Sequence, residues 1–521
     1  MAFRCGNCNG SVIFDPESQQ MKCAHCGSRF KPESFQVRDN GTEGESAQPD
    51  LRSFLCGSCG AELESTEDSM VGFCPYCGGQ SVLKTDRAGG DRPERILPFQ
   101  ISREKCADLY KTFSRKVRYL PREMTDPEHL KSFTGIYMPY YEYDVAFGAS
   151  SMEGTKTVED HMRYEVVNTY RIDAQLEGTY RGVPFDASRY LDDEIAARTL
   201  PFDTEAERDF HPAYLAGFYA DTATVEGDLY QGDARDQAVK DVVEEVADAV
   251  MEQDGIQLNR SAAHVEAETV GRHRVLYPLW FLTWRKDDRV AYAVVNGQSG
   301  KVVSDLPLDL RAFAIGCGVI SAVLFLLLEL LVQPTPVLTS LLSLTAALLM
   351  AIGLWGSTKT VFEKQTHAKD KGWTAGEGTE EPAPSPDGKT KRKKKGGSKL
   401  SVVIAIIFVL FIGSAVSKGT FSYGKIWAIA VLAVSVIILL RVSKMQKEIP
   451  EKHPLRAALA LMAAVVLNVV MVFLAPVNDG WYYLGDALCI AVLLFASIGI
   501  LRTYNVGTTR PLPKLFDREE V

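Results

Sequence analysis

Apolar positions are spaced along this chain in three different ways. From residue 312 onward they gather into six nearly unbroken runs, at 312–332, 337–356, 400–417, 426–442, 457–475 and 482–501. Each run is close to the roughly 20 residues a helix needs to cross about 30 Å of hydrocarbon, so an all-α bundle of six transmembrane helices is expected. Between 93 and 308 the spacing is shorter. Residues 102–117 read as a helix after Ser102, with Cys106, Leu109, Tyr110 and Phe113 on one face. Ile136–Phe147 and Tyr164–Gly178 are rich in aromatic and β-branched residues with stretches of alternation, the pattern of strands. Asp233 opens a second helix, with Ala238, Val242, Val243, Val246, Val250 and Met251 on its buried side against Glu244, Glu245, Asp248 and Glu252. A hairpin, Val275–Trp284 then Val290–Val295, and a turn at Asn296–Gly300 close this α+β domain. Before residue 93 there is too little apolar pattern for a core.

What replaces a core there is cysteine. Eight of the eleven Cys stand in four Cys-x-x-Cys pairs: Cys5 with Cys8, Cys23 with Cys26, Cys56 with Cys59 and Cys74 with Cys77. The second set repeats the first at an offset of 51, with Phe3 aligned to Phe54, Gly6 to Gly57 and Gly27 to Gly78. Two knuckles per unit give a closed four-sulfur site for one structural Zn²⁺, so two zinc ions per chain are expected. Such a site has no open position for activating water. A redox pair of the thioredoxin kind would need one Cys-x-x-Cys in a βαβ setting, and a rubredoxin-like iron site is the other alternative. His25 lies between two ligands and reads as exposed. With a Cys pair at residue 5 and no apolar leader before it, the N-terminus is expected in a reducing cytosol.

Both units resemble transcription factor IIB-type zinc ribbons and are similar to the paired knuckles of the primosomal replication-restart helicase, over roughly the first 80 residues. That resemblance implies binding to nucleic acid or to protein. Charge bears on the choice: residues 1–310 hold 34 Lys+Arg against 52 Asp+Glu, and residues 1–92 hold 9 against 13. An acidic surface disfavours phosphate, so a cytosolic protein partner is expected. The helicase's ATPase is not: the one Gly-Lys-Thr, Gly388–Thr390, has Ala383 where a phosphate loop needs Gly. The end of the middle domain resembles the last hairpin of PepSY-like domains over about 30 residues. The whole layout resembles uncharacterised bacterial multi-pass membrane proteins carrying such ribbons, a resemblance that brings no mechanism.

No His-Glu-x-x-His, Gly-x-Ser-x-Gly or Gly-x-Gly-x-x-Gly occurs, so an enzyme is not expected. His264, Glu266 and Glu268 alternate and would share a strand face able to hold a metal or a proton; a solvated face is the plainer reading. The links after runs two and four hold eleven and five Lys or Arg, and those after runs one and five hold none. The positive-inside bias therefore places both termini in the cytosol of a multi-pass cell-membrane protein. Near mid-membrane only Asn468 is polar, where a helix-to-helix hydrogen bond is the commoner use, so a small-solute transporter is a second alternative only. The expected divisions are a first ribbon at 1–38, a linker at 39–51, a second ribbon at 52–86, the acidic domain at 93–308 and two membrane helices at 311–357. A basic linker at 358–399, four membrane helices at 400–502 and a tail at 503–521 complete the chain.

Overall fold

The structure, a computed structural model, describes residues 3–35, 52–65, 74–79, 82–84, 93–161, 164–331, 335–368, 370–376, 420–474 and 476–512. Three short strands, β1 (Val12–Asp15), β2 (Gln20–Cys23) and β3 (Arg29–Phe30), form an antiparallel sheet beside the first cysteine group. β4 (Arg52–Cys56), β5 (Glu62–Ser65) and β6 (Val82–Lys84) accompany the second group. These three do not form a sheet of their own. They join β7 (Arg95–Ile96), β8 (Thr134–His161), β9 (Tyr164–Gln175), β10 (Thr179–Asp186), β11 (Arg208–Asp209), β12 (Tyr219–Asp221), β13 (Gln257–Leu258), β14 (His264–Lys286), β15 (Arg289–Asn296), β16 (Val302–Ser304) and β17 (Arg510–Pro511) in one sheet of fourteen strands among the described residues.

The spine of that sheet is the antiparallel pair β8 and β14, in register from Thr134 opposite Phe281 to Ser151 opposite His264. Tyr137-Met-Pro-Tyr-Tyr and Tyr277-Pro-Leu-Trp-Phe face each other across it, with Tyr137 opposite Pro278 and Met138 opposite Tyr277. Their aromatic rings fill both sides: Tyr137 meets Phe99 and Phe218, and Tyr140 meets Tyr277 and Phe202. Ring pairs of this kind contribute beyond the area they bury.

Helix α1 (Arg103–Ser114) begins where expected, with the Ser102 hydroxyl accepting from the Lys105 amide, and buries Cys106 and Tyr110. After α2 (Pro127–Leu130) and α3 (Asp193–Thr199) comes α4 (Gln231–Asp254), which ends at Gly255 in the left-handed conformation, φ 65°. Its buried stripe is Ala234, Ala238, Val243 and Ala247, while Met251 is exposed. The stripe lies slightly round the helix from the expected face, with alanine at three of its four positions.

The C-terminal half holds α5 (Leu310–Leu331), α6 (Pro336–Gln365), α7 (Lys371–Gly376), α8 (Thr420–Met445), α9 (His453–Leu474) and α10 (Asp479–Thr508). Among the described residues four of these, α6, α8, α9 and α10, are long and apolar enough to cross a membrane; α5 contributes a shorter apolar stretch, Leu310–Leu324. The run at 400–417 and the basic stretch up to Lys399 lie outside the described residues. α6, α8, α9 and α10 pack together through Leu344, Ala347, Val431, Val465 and their neighbours. Where α9 meets α10 the contact is close enough that a Cβ on Gly499 would lie 2.8 Å from that of Ala457. Asn468 is buried and donates to Cys489 Sγ at 2.9 Å, joining α9 to α10 as its position suggested. Gly316 in α5 makes room for Tyr119 of the sheet-rich domain.

That domain is fastened to one end of the helices. Arg289 reaches Glu451 between α8 and α9 at 3.1 Å, the Val506 carbonyl at 2.6 Å and Thr509 at the end of α10. Arg510 pairs with Asp305 and, at 3.3 Å, with Asp192; Lys364 at the end of α6 lies 3.7 Å from Asp305. Asn505 and Leu308 exchange two hydrogen bonds, at 2.8 and 2.9 Å. The start of α5, the end of α6, the α8–α9 link and the end of α10 therefore all face the domain.

Candidate metal centres

Each cysteine pair sits on a tight turn closed by main-chain hydrogen bonds. In the first unit the Cys5 amide donates to Gly10 O and the Asn9 amide to Cys5 O, both at 2.8 Å; in the second, Cys56 donates to Ala61 O at 2.8 Å and Gly60 to Cys56 O at 2.7 Å. The later pair in each unit repeats the arrangement, Gly27 to Cys23 O and Gly78 to Cys74 O. The residue that closes each turn needs a positive φ: 72° at Gly27, 66° at Gly78, 80° at Gly60, and 58° at Asn9. Asparagine is one of the few side chains that tolerates this region. That explains how Asn9 can stand where the second unit has glycine.

These turns bring together Cys5, Cys8, Cys23 and Cys26 in one group and Cys56, Cys59, Cys74 and Cys77 in another, with the sulfurs of each group all within 4.8 Å of one another. The Sγ–Sγ separations are 3.6 Å for Cys5 to Cys26, 3.5 Å for Cys8 to Cys23, 3.6 Å for Cys56 to Cys77 and 3.8 Å for Cys59 to Cys74. A tetrahedron of sulfurs about 2.3 Å from a central zinc has edges of about 3.8 Å. The donor sets therefore fit a metal ion, with geometry consistent with zinc, and each is complete without an outside ligand. Backbone amides also point at the sulfurs, Asn7 to Cys5 at 3.4 Å and Gly79 to Cys77 at 3.3 Å, which is how such sites spread the charge of four thiolates.

The two groups differ sharply in burial. In the first, Cys5 and Cys23 are buried but Cys8 and Cys26 are exposed; in the second all four are buried. The side chain between the last two ligands accounts for much of this. In the first unit it is His25, at the tip of an exposed turn. In the second, 51 residues on, it is Tyr76, only 2% exposed, whose hydroxyl donates to Asp221 at 2.6 Å and whose carbonyl accepts from the Tyr292 hydroxyl at 2.5 Å. Thr283 adds a hydrogen bond to the neighbouring Pro75 carbonyl. β5 pairs with β12 through Glu64 opposite Ala220 and Leu63 opposite Asp221, so the second centre is built into the large sheet.

The first ribbon is docked rather than built in. Phe14 donates its amide to Ala216 O at 2.9 Å and sets its ring edge-on to Tyr214; the Tyr214 hydroxyl donates to Glu33 at 2.7 Å, and Gln19 donates to the Phe99 carbonyl at 2.6 Å. Val12, Phe14 and Met21 are buried in that contact while the knuckle tips face away.

No family model and no solved structure matches the chain. It is similar to the uncharacterized protein YdjG of Bacillus subtilis (strain 168). The two are 25% identical over 337 residues, which is 63% of this chain and 97% of YdjG. The similarity runs through nearly all of YdjG, and that protein's name assigns it no activity.

Elsewhere, His264, Glu266 and Glu268 do share one face of β14, and all three are exposed. Among the described residues only the cysteines bring three or more ligand atoms within reach of one ion. The sequence did not single out Glu142. It is 2% exposed, bonded by the Tyr277 hydroxyl and 3.6 Å from Arg95, with Glu207 close by. Burial, followed by the shared hydrogen bond with Glu207, raises its pKa to about 8. Its signal in the sequence, a lone Glu in an aromatic strand, is visible only once the facing strand is known.

Proposed function

We propose that this is a non-enzymatic, multi-pass membrane protein whose two centres hold structural zinc and whose first ribbon recruits a protein partner. The observation that supports the reading is the contrast between the two knuckle tips. Tyr76 shows how a tip docks on a protein surface, by a buried side chain and a main-chain carbonyl, and the second ribbon uses this on its own sheet. His25, with Asn7 and Cys8 beside it, presents the equivalent tip outward. A closed four-cysteine site has nothing to catalyse with, so a tip held rigid by metal is a docking element.

The sidedness of the membrane part follows the same reading. The end of α6 and the end of α10 both meet the domain, and Leu341 near the start of α6 lies against Gly424 near the start of α8. Thr420 thus stands at the far end of a helix of about 39 Å, whereas Lys371 in α7 pairs with Asp233 of the domain. Lys371 and Thr420 stand at opposite ends of the bundle, which supports the six-crossing reading of the apolar runs. Reduced thiolates and the basic links support a cytosolic position for the domain side.

A second reading has one observation in its favour: Arg4, Lys22, Arg29 and Lys31 are all exposed on the first ribbon, against Asp15, Glu17 and Glu33. A nucleic-acid-binding ribbon would use them. The two readings separate on protein purified from native membranes. Partner recruitment predicts discrete proteins that survive nuclease and are lost with Asn7→Glu and His25→Glu. Binding of DNA or RNA to the purified chain, falling steeply with salt and lost with the four basic residues, would replace it.

A further inference from the structure

A cleft of about 850 Å³ lies where β10, the start of α4 and α7 meet, far in sequence from both cysteine groups. Its volume falls in the range of small-molecule sites. Its floor holds Asp186, the last residue of β10, which is 3% exposed and whose Oδ2 has no hydrogen-bond partner. The charges that act on it are those of Asp193 in α3, Asp370 before α7 and Asp192 at the cap of α3, all of the same sign. Arg181 and Lys371 also line the cleft; the Lys371 ammonium is held by Asp233 at 2.5 Å and its amide donates to Asp193 at 3.0 Å. Arg510 and Lys364, the cations on the far side of Asp192, are held by Asp305.

A carboxyl group in this position is costly to ionise, and burial followed by Asp193 pushes its pKa well up. Folds keep such a group where something compensates it. The rest of the wall shows what fits. Phe185 stacks on Tyr230 at 5.2 Å, and Phe202 faces Tyr140 at 6.2 Å, so aromatic rings line the cleft around the acidic floor. Aromatic rings and carboxylates together recognise ammonium groups. A small divalent ion is a poorer fit, because these carboxylates do not converge on one point among the described residues. An anion would meet four carboxylates, Asp186, Asp193, Asp233 and Asp241, against the two cations Arg181 and Lys371.

We propose that this cleft binds an organic cation, an amine or quaternary ammonium compound, with its charge over Asp186 and Asp193 and its apolar body between Phe185, Tyr230 and Phe202. The site is independent of the partner-recruiting role of the first ribbon.

The test is calorimetric titration of the full chain in detergent with two matched pairs: choline against its neutral isostere 3,3-dimethylbutan-1-ol, and benzylamine against benzyl alcohol. The expected result is saturable binding of at least one cation, about tenfold tighter than its neutral twin. Asp186→Asn removes that preference and Phe202→Leu weakens binding of the cation. Thermal stability of Asp186→Asn equal to or above the parent shows that the fold persists, since the substitution takes away a buried charge. A Phe202→Leu protein that keeps its parent's melting profile serves as the second check. The proposal is overturned if neither cation saturates at concentrations on the order of 10 mM, if cation and neutral twin bind alike, or if Asp186→Asn leaves cation binding unchanged.

Discussion

The unequal burial of the two centres predicts unequal consequences of breaking them. Consider Cys74→Ser/Cys77→Ser against Cys5→Ser/Cys8→Ser in the full-length chain. A structural zinc site supplies about 10–16 kcal/mol of binding free energy coupled to folding, while a whole domain is stable by about 5–15 kcal/mol. The second centre holds Tyr76 against Asp221 and Tyr292 and shares strands with the domain, so its loss exceeds what the domain can absorb. The expected result is loss of cooperative thermal unfolding and digestion through residues 93–308 by trypsin. Loss of the first centre frees only the docked face. Val12, Phe14 and Met21 leave their contact, at a cost of a few kcal/mol. At about 2–4 °C per kcal/mol for a domain of this size, that lowers Tm by roughly 5–15 °C while leaving one zinc bound and one cooperative transition. Metal content by mass spectrometry and a thermal scan in detergent read both outcomes. If the Cys74/Cys77 variant melts like the parent, or the Cys5/Cys8 variant loses both ions and its transition, the reasoning is wrong.

Three further outcomes follow. Glu142 binds a proton more tightly folded than unfolded, so stability falls as pH rises from about 4.5, its ordinary value, to about 8, by at most on the order of 5 kcal/mol; Glu142→Gln should flatten that part of the Tm–pH curve, and an unchanged slope would refute the assignment. Arg510→Met leaves Asp305 and Asp192 without their shared cation, which should cost about 3–5 kcal/mol and expose the segment at 509–512 to protease before the rest melts. A single Cys at Thr420 should react with an impermeant reagent added outside intact cells; protection would mean that the chain does not change sides before α8.

The parts of this molecule that could be read from sequence are those whose physics is local. Cys-x-x-Cys turns fix their own geometry, and both sulfur tetrahedra stand on the eight positions expected. Among the described residues the five apolar runs outside 400–417 are helices, the local solution where the backbone has no other hydrogen-bond partner. The Ser102 cap and the turn into Gly300 are equally local. What sequence could not show is pairing at a distance. The β8–β14 spine joins residues more than 110 positions apart, so its two aromatic segments looked independent. The second ribbon looked like a copy of the first because ligand spacing is identical in both; the β5–β12 pairing and the partners of Tyr76, from β12 and β15, show that it belongs to the sheet. Asp186 and Glu142 gained their unusual surroundings from strands and helices distant in sequence, which no motif records.

Partner recruitment depends on the outward-facing first ribbon, and site-specific photocrosslinking in living cells tests it directly. A photoreactive residue at Asn7 or at His25 should yield the same discrete protein adduct, absent when the residue is placed at Val270 on the exposed face of β14. Adducts to nucleic acid from Asn7 and His25, or the same adducts from all three positions, would contradict it.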